Sequence, residues 1–356
     1  MVQTGTLGPT TLAILLAALT AGCASNKPAE EPPLPEHFED PAPGDTPDID
    51  CEAPKLKTAD PDLLDTTQVT IEQVVYSTSR WFDGLFGQSN VECAGNVTRG
   101  YVSLGTRWDE RDGAKVRARF RARVALPAIS RRANLIVGRG DADRFIEGTD
   151  DENIQTLPDR FNDFGEQDFL LGLGYARGGG LRKGWDLGIG VKLSLPPDPY
   201  VRARYHVNPV VSGRWLWRMT PQLFWQETRG WGVSLTNSVD FAISPEWMLR
   251  SWSSMVEDEV SEGRDWTQKF TAYHNVSPRS AVAYSIYAVG ETDRDVPIKD
   301  AGFEVRFRRR ILREWFFVEL LTSLSYPRDF LEERRERNIG IGIEFEMQFG
   351  EWPDRR

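Results

Sequence analysis

The stretch "VRARFRARVAL", residues 116–126, alternates arginine with apolar residues along most of its length, and that period excludes most structures. A two-residue step turns about 200° around a helix, which would scatter Arg117, Arg119, Arg121 and Arg123 over every side. In a strand the four arginines share one face, while Val116, Ala118, Phe120, Ala122, Val124 and Leu126 share the other. Two surroundings satisfy such a strand. A soluble protein packs the apolar face on a core and leaves the arginines in water. A membrane barrel turns the apolar face to lipid and the arginines to the lumen.

The same period runs from residue 99 to the end. "WDLGIGVKLSL" opposes Trp185, Leu187, Ile189, Val191, Leu193 and Leu195 to Asp186, Gly188, Gly190, Lys192 and Ser194. "VRARYHV" opposes Val201, Ala203, Tyr205 and Val207 to Arg202, Arg204 and His206. "FEVRFRRR" sets Phe303, Val305 and Phe307 against Glu304, Arg306, Arg308 and Arg310. In "NIGIGIEFEMQF" the residues Ile339 to Phe349 at odd positions oppose Gly340, Gly342, Glu344, Glu346 and Gln348.

About fourteen such segments are predicted, near 100–109, 114–126, 132–139, 167–177, 185–195, 200–208, 213–226, 230–242, 247–257, 264–275, 279–291, 300–311, 314–325 and 337–349. Most have the roughly 9 to 11 residues that a tilted strand needs to cross a bilayer. Alternation is poor in 132–139, 247–257 and 264–275, and Pro221 interrupts one strand. The joins sort by parity: "PAIS", "GGGLRKG", "NPVVSG", "ISPE", "NVSP" and "ILRE" are short. The alternate set includes "GDADRFIEGTDDENIQTLPDRFNDFGEQ", "VEDEVSEGRD", "ETDRDVPIKD" and "SYPRDFLEERRERN", longer and more charged, though "PPDP" and "ETRG" are brief. Trp108, Trp185, Tyr200, Trp225, Trp231, Trp247, Trp266, Trp315 and Tyr326 gather near strand ends, where interfacial girdles are expected.

Ahead of the strands the chain changes character. "TLAILLAALTAGCAS", residues 11–25, is too short an apolar run to span a membrane and reads as a signal-peptide core. Its end, "LTAGC", resembles the lipobox of bacterial lipoproteins, which implies cleavage after residue 22 and a lipidated Cys23. It departs from that pattern in placing Leu19 four residues before the cysteine and in having no Lys or Arg ahead of the core. Residues 23–65 are dense in Pro, Asp and Glu and read as an extended tether. Residues 66–98 hold a short amphipathic helix, with Ile71, Val74, Val75, Thr78, Trp81, Phe82 and Leu85 on one stripe, and a connector. With Cys23 lipidated in an oxidising compartment, Cys51 and Cys93 remain to form a disulfide.

Taken together, residues 99–349 resemble a bacterial outer-membrane β-barrel with a lipoprotein-type start, followed by a periplasmic tail at 350–356. The closing strand resembles the assembly signal of that class, from Gly342 to the aromatic Phe349, although "GEWPDRR" continues beyond it. The resemblance implies an all-β, antiparallel up-and-down barrel in the outer membrane with a periplasmic N-terminus. It also implies outer-membrane lipids and the barrel-assembly machinery as partners.

A formal net charge of −10, from 53 acidic and 43 basic residues, argues against a nucleic-acid binder. In a closed barrel the last strand returns to the first, so Glu344 and Glu346 come near Arg117, Arg119, Arg121 and Arg123. Arg202, Arg204, Arg306, Arg308 and Arg310 extend the lumen-lining field. Three readings follow: a salt-bridged lining, a basic constriction that selects anionic solutes, or a lumen that receives the acidic tether. A pore leads, with a non-conducting envelope scaffold or a lipid-modifying barrel enzyme as alternatives. For the enzyme only His206 and His274 stand within the barrel, and no GxSxG, P-loop, HExxH or complete GxGxxG accompanies them. No catalytic, cofactor-binding or metal-ligating residue is assigned, and the acidic "DADRFIEGTDDENIQ" lacks calcium-loop spacing.

Overall fold

The computed structural model describes residues 99–126, 132–149, 168–178, 183–212 and 214–350. The signal-peptide, tether and helix expectations over residues 1–98, and with them Cys23, Cys51 and Cys93, lie outside the described residues, as does the tail beyond Gly350.

Period-two alternation becomes fourteen strands: β1 (Arg99–Asp109), β2 (Gly113–Ala125), β3 (Ala133–Gly140), β4 (Asp168–Gly178), β5 (Lys183–Leu193), β6 (Asp198–Ser212) and β7 (Trp215–Gln226) come first. The second half follows as β8 (Gly230–Ser244), β9 (Trp247–Asp258), β10 (Asp265–Ser277), β11 (Ser280–Glu291), β12 (Asp300–Arg310), β13 (Phe316–Ser325) and β14 (Asn338–Gly350). Each pairs antiparallel with its sequence neighbours, and β14 closes on β1 from Arg99↔Gly350 to Asp109↔Gly340. Closure gives every strand a neighbour on both sides, although β2 meets β3 only over Phe120–Ala125. Among the described residues no helix is long and apolar enough to cross a membrane, which says nothing of crossing by strands.

Side-chain parity separates two environments. One face exposes large apolar residues, such as Val116 at 77%, Leu104 and Ile286 at 56% and Ile341 at 53%. The other buries charge, with Arg202 and Arg306 at 1% and Arg308 at 2%. This is inverted relative to a water-soluble sandwich, and the apolar belt far exceeds the patches that monomers in water present.

Pro221 sits in β7 opposite Leu235 of β8, but the β6 ladder passes from Arg204↔Gln222 to Val207↔Met219 without pairing it. A residue without N–H thus occupies the point where one ladder is interrupted. The joins at one end of the barrel are brief, such as 213–214, 245–246 and 278–279. The first of these is shorter than "NPVVSG" implies, because β6 continues through Ser212. At the other end strand-terminal aspartates tie the turns. Asp109 accepts from the amides of Arg111 and Asp112 at 3.1 and 2.8 Å, and Asp258 from those of Val260 and Ser261 at 3.0 and 2.7 Å.

The join between β3 and β4 departs from a plain outer loop. Its first part forms α1 (Ala142–Glu147), whose local signals lie in "DADRFIEG". Asp141 caps the start by accepting from the Arg144 amide at 3.0 Å, and Gly148, at φ 75°, ends it in the left-handed conformation. Phe145 and Ile146 are 4% and 0% exposed, packed with Ile136, Leu170, Tyr200, Phe224 and Val256. Tyr200 therefore leaves the expected girdle. It shares the parity of Arg202 and is 2% exposed, its hydroxyl lying against Gly172 and Gly190, where a Cβ would collide with it.

Candidate functional site

The β2 arginines are on the buried parity of their strand. Arg119 is 6% exposed, and its guanidinium reaches diagonally across β1 to Glu344 of β14 at 2.5 Å. Gly105 stands between them, where a Cβ would come within 3.1 Å of the Glu344 Cβ. Glu346 turns the other way, to Arg308 of β12 at 2.6 Å, and does not reach the β2 ladder. Register places Ser103 and Gly105 of β1 and Gly138 of β3 beside the central arginines, so neither flanking strand offers a carboxylate at those positions.

Arg121 and Arg202 both stack on Phe145 of α1, with guanidinium carbons 4.9 and 3.9 Å from the ring centroid. Arg202 also donates to the Phe145 carbonyl at 2.7 Å and lies 3.5 Å from Asp186. Arg204 donates to Gln222 at 2.8 Å, and Gln222 in turn donates to the Ile146 carbonyl. Ser234 donates to the carbonyl of Glu147, and Thr236 to that of Gly148 at 3.2 Å. Side chains of β6, β7 and β8 thus satisfy the terminal carbonyls that a helix leaves open. Two ionic ties complete the docking: Arg229 pairs with Glu147, and Lys192 with Asp143 at 2.8 Å.

Asp143 makes this docking pH-dependent. Burial opposes its charged form, but hydrogen bonds from Lys192 and Gln226, together with the lysine charge, hold its carboxyl below the ordinary aspartate range. A depressed carboxylate stabilises the docked form above its unperturbed pKa of about 3.9, and the contribution is lost as pH falls through the lower, docked value. Proteolytic nicking of the β3–β4 join is expected to accelerate in that acid window. Asp143→Asn should show fast nicking already at neutral pH, and a pH-independent rate in both proteins would contradict the sign.

The rest of the wall is knit by shared ions. Arg306 donates to Glu319 at 2.8 and 2.6 Å, and Arg308 bridges Glu319 and Glu346 while standing 4.6 Å over the Phe317 ring. Arg310 stands over the same ring at 5.6 Å. Lys269 pairs with Glu304 at 3.4 Å. Asp240, fully buried, accepts from Arg218 at 2.7 Å and from Arg250 at 2.6 and 2.9 Å. Removing a carboxylate shared by two buried guanidinium groups costs about 3–5 kcal/mol. Asp240→Ala is therefore expected to unfold at clearly lower denaturant than wild type, read from heat-modifiable migration, whereas Arg264→Ala, an exposed pair with Glu257, should change little.

Arg218, Asp240, Arg250, Lys269, Asp186 and Glu319 were not among the candidate residues. They occur singly, two of them, Arg250 and Lys269, in strands where alternation is weak, and only parity with buried neighbours marks them. Among the described residues no cluster of His, Cys, Asp and Glu could hold a metal ion, and no serine hydrogen-bonds to either barrel histidine. His274 instead stacks on Trp247, rings 4.1 Å apart and 8° from parallel. The acidic residues at the start of the β3–β4 join are used structurally, Asp141 as a cap and Asp143 as an ion pair.

No family model matches this chain, and no curated protein is significantly similar in sequence. Solved structures with a similar course of chain do exist. OmpT, an outer membrane protein of Vibrio cholerae, is 7% identical with a TM-score of 0.41, over 71% of this chain and 96% of its own. A bacterial polysaccharide outer membrane secretin is 10% identical with a TM-score of 0.42, over 72% and 99%. The CymD monoaromatic hydrocarbon channel is 8% identical with a TM-score of 0.42, over 76% and 93%. At these values the similarities carry no argument about function, and the barrel rests on the chain's own ladder of strand pairs.

Proposed function

We propose that this chain is an outer-membrane channel whose lumen is narrowed by α1 and biased toward anions by the β2 arginine wall. The observation that carries the reading is the pairing of an apolar outer belt with a charged inner surface, the reverse of a soluble core. Short joins at the end holding Arg99 and longer ones at the other support a periplasmic N-terminus. Anion preference draws on the run of Arg117, Arg119, Arg121 and Arg123 on the buried parity of β2. An acyl anchor at Cys23 belongs to the same reading, and Cys23→Ala should lose incorporation of labelled fatty acid.

The test is single-channel recording of the refolded mature chain in a planar bilayer, with and without residues 24–98. Stable, anion-selective steps in the intact chain support the channel. Silence in both forms, with heat-modifiable folding confirmed, supports the second reading, a non-conducting barrel that serves as an envelope scaffold. That reading draws on the same α1 docking, which fills part of the interior with Phe145 and Ile146.

A further inference from the structure

On β8, β9 and β10 the outer belt carries polar side chains at mid-strand. There the odd positions of β8 and β9 and the even positions of β10 face outward, as the exposure of Leu235, Leu249, Met255 and Phe270 shows. On that outward parity Asn237 pairs in register with Ser253, and Ser253 with Gln268, so three polar side chains form a row across three strands. Ser251 lies one step along β9. Asn237 is midway along β8 and Ser253 midway along β9, far from either rim. Among the described residues Asn237 and Gln268 are the carboxamides on the outward parity of the wall.

Among the described residues their hydrogen bonding is incomplete. The Asn237 carbonyl oxygen accepts from the Trp217 indole at 2.5 Å, but its amide nitrogen has no acceptor. Gln268 donates to the Ser251 hydroxyl at 3.2 Å and to the Trp252 carbonyl at 3.1 Å, while its own oxygen has no donor. The Ser253 hydroxyl between them has no hydrogen-bond partner among the described residues. In hydrocarbon such groups are costly, and water cannot reach the middle of a bilayer to relieve them. Small serines between the amides also let another surface approach closely.

We propose that this patch is the contact between two copies of the chain in the membrane, patch against patch with Ser253 at its centre. The unsatisfied set contains both a donor amide and an acceptor carbonyl, so an identical copy supplies what each lacks, whereas lipid tails supply neither. The inference rests on the membrane reading above. It also accounts for the poor alternation of the β9 and β10 sequences, since a contact between proteins relaxes the demand for a fully apolar outward face.

A photo-crosslinking amino acid introduced at position 253, with a second protein carrying it at position 118 on the opposite wall, tests the contact in intact membranes. The expected result is a product of twice the chain mass from position 253 and lipid adducts alone from position 118. Lipid adducts alone from both positions would overturn the contact and leave the membrane reading standing. Absence of lipid adducts at position 118 would remove the membrane reading itself. Adducts of 253 to a different protein, or to the chain's own N-terminal region without doubling of mass, would likewise overturn a self-contact. As a second measurement, Asn237→Leu combined with Gln268→Leu should halve the particle mass in mild detergent while heat-modifiable migration persists; unchanged mass would count against the proposal.

Discussion

Excising residues 142–148 is expected to raise single-channel conductance several-fold while the barrel continues to fold. α1 is not part of the strand ladder, so its loss removes no strand pairing. It does remove the segment that the buried side chains of β6, β7 and β8 hold inward through Arg202, Gln222, Ser234 and Thr236. Ile146→Asp should act in the same direction. Ile146 is 0% exposed in an apolar cluster with Leu170, Tyr200, Phe224 and Val256, and an unpaired carboxylate there costs several kcal/mol. The change is expected to undock α1 without unfolding the strands. Larger and noisier steps in both variants would fit a constriction held by α1. Unchanged conductance in a folded protein would show that α1 does not control the path.

The second large effect concerns charge. Arg121→Glu replaces a guanidinium that stacks on Phe145 with a carboxylate, a change of two charge units on the proposed inner wall. An ion about 8 Å away feels a shift of ~1 kcal/mol for two units even at the dielectric constant of water, roughly fivefold in occupancy. Anion and cation shift in opposite senses, so the permeability ratio should change by about thirtyfold at low salt and by less as salt screens the site. Arg119→Glu is a less clean probe, because Glu344 is 2.5 Å from that guanidinium and would face a like charge. Reversal potentials under a salt gradient measure the ratio. A ratio indifferent to Arg121→Glu would place the ion path away from β2, against the wall of Arg306, Arg308 and Glu319.

Strand number and the face each residue takes were legible because period two is a local property. Each residue's parity follows from its neighbours in sequence, and one slip would turn a whole strand inside out. Where the period failed, the reasons are specific. Tyr200 was read by its place near a strand end, although its parity with Arg202 already opposed a girdle position. α1 was hidden because one turn and a half of helix is too short to show a period, although its cap residues Asp141 and Gly148 were in view. The weak alternation of β9 and β10 reflects inward Met248, Trp252, Val256 and Tyr273 together with outward Ser251, Ser253 and Gln268.

What the sequence determined by itself is therefore which residues share a face and roughly where the chain reverses. Those depend on pleat and turn chemistry alone. Only the tertiary structure decided who meets whom: that Arg119 takes Glu344 while Glu346 goes to Arg308, that Asp240 serves two arginines, and that a loop helix is drawn onto Arg121 and Arg202. Such partners are separated by up to 225 residues in the Arg119–Glu344 pair, and their choice follows from barrel closure and strand register. Neither leaves a local trace in the order of amino acids.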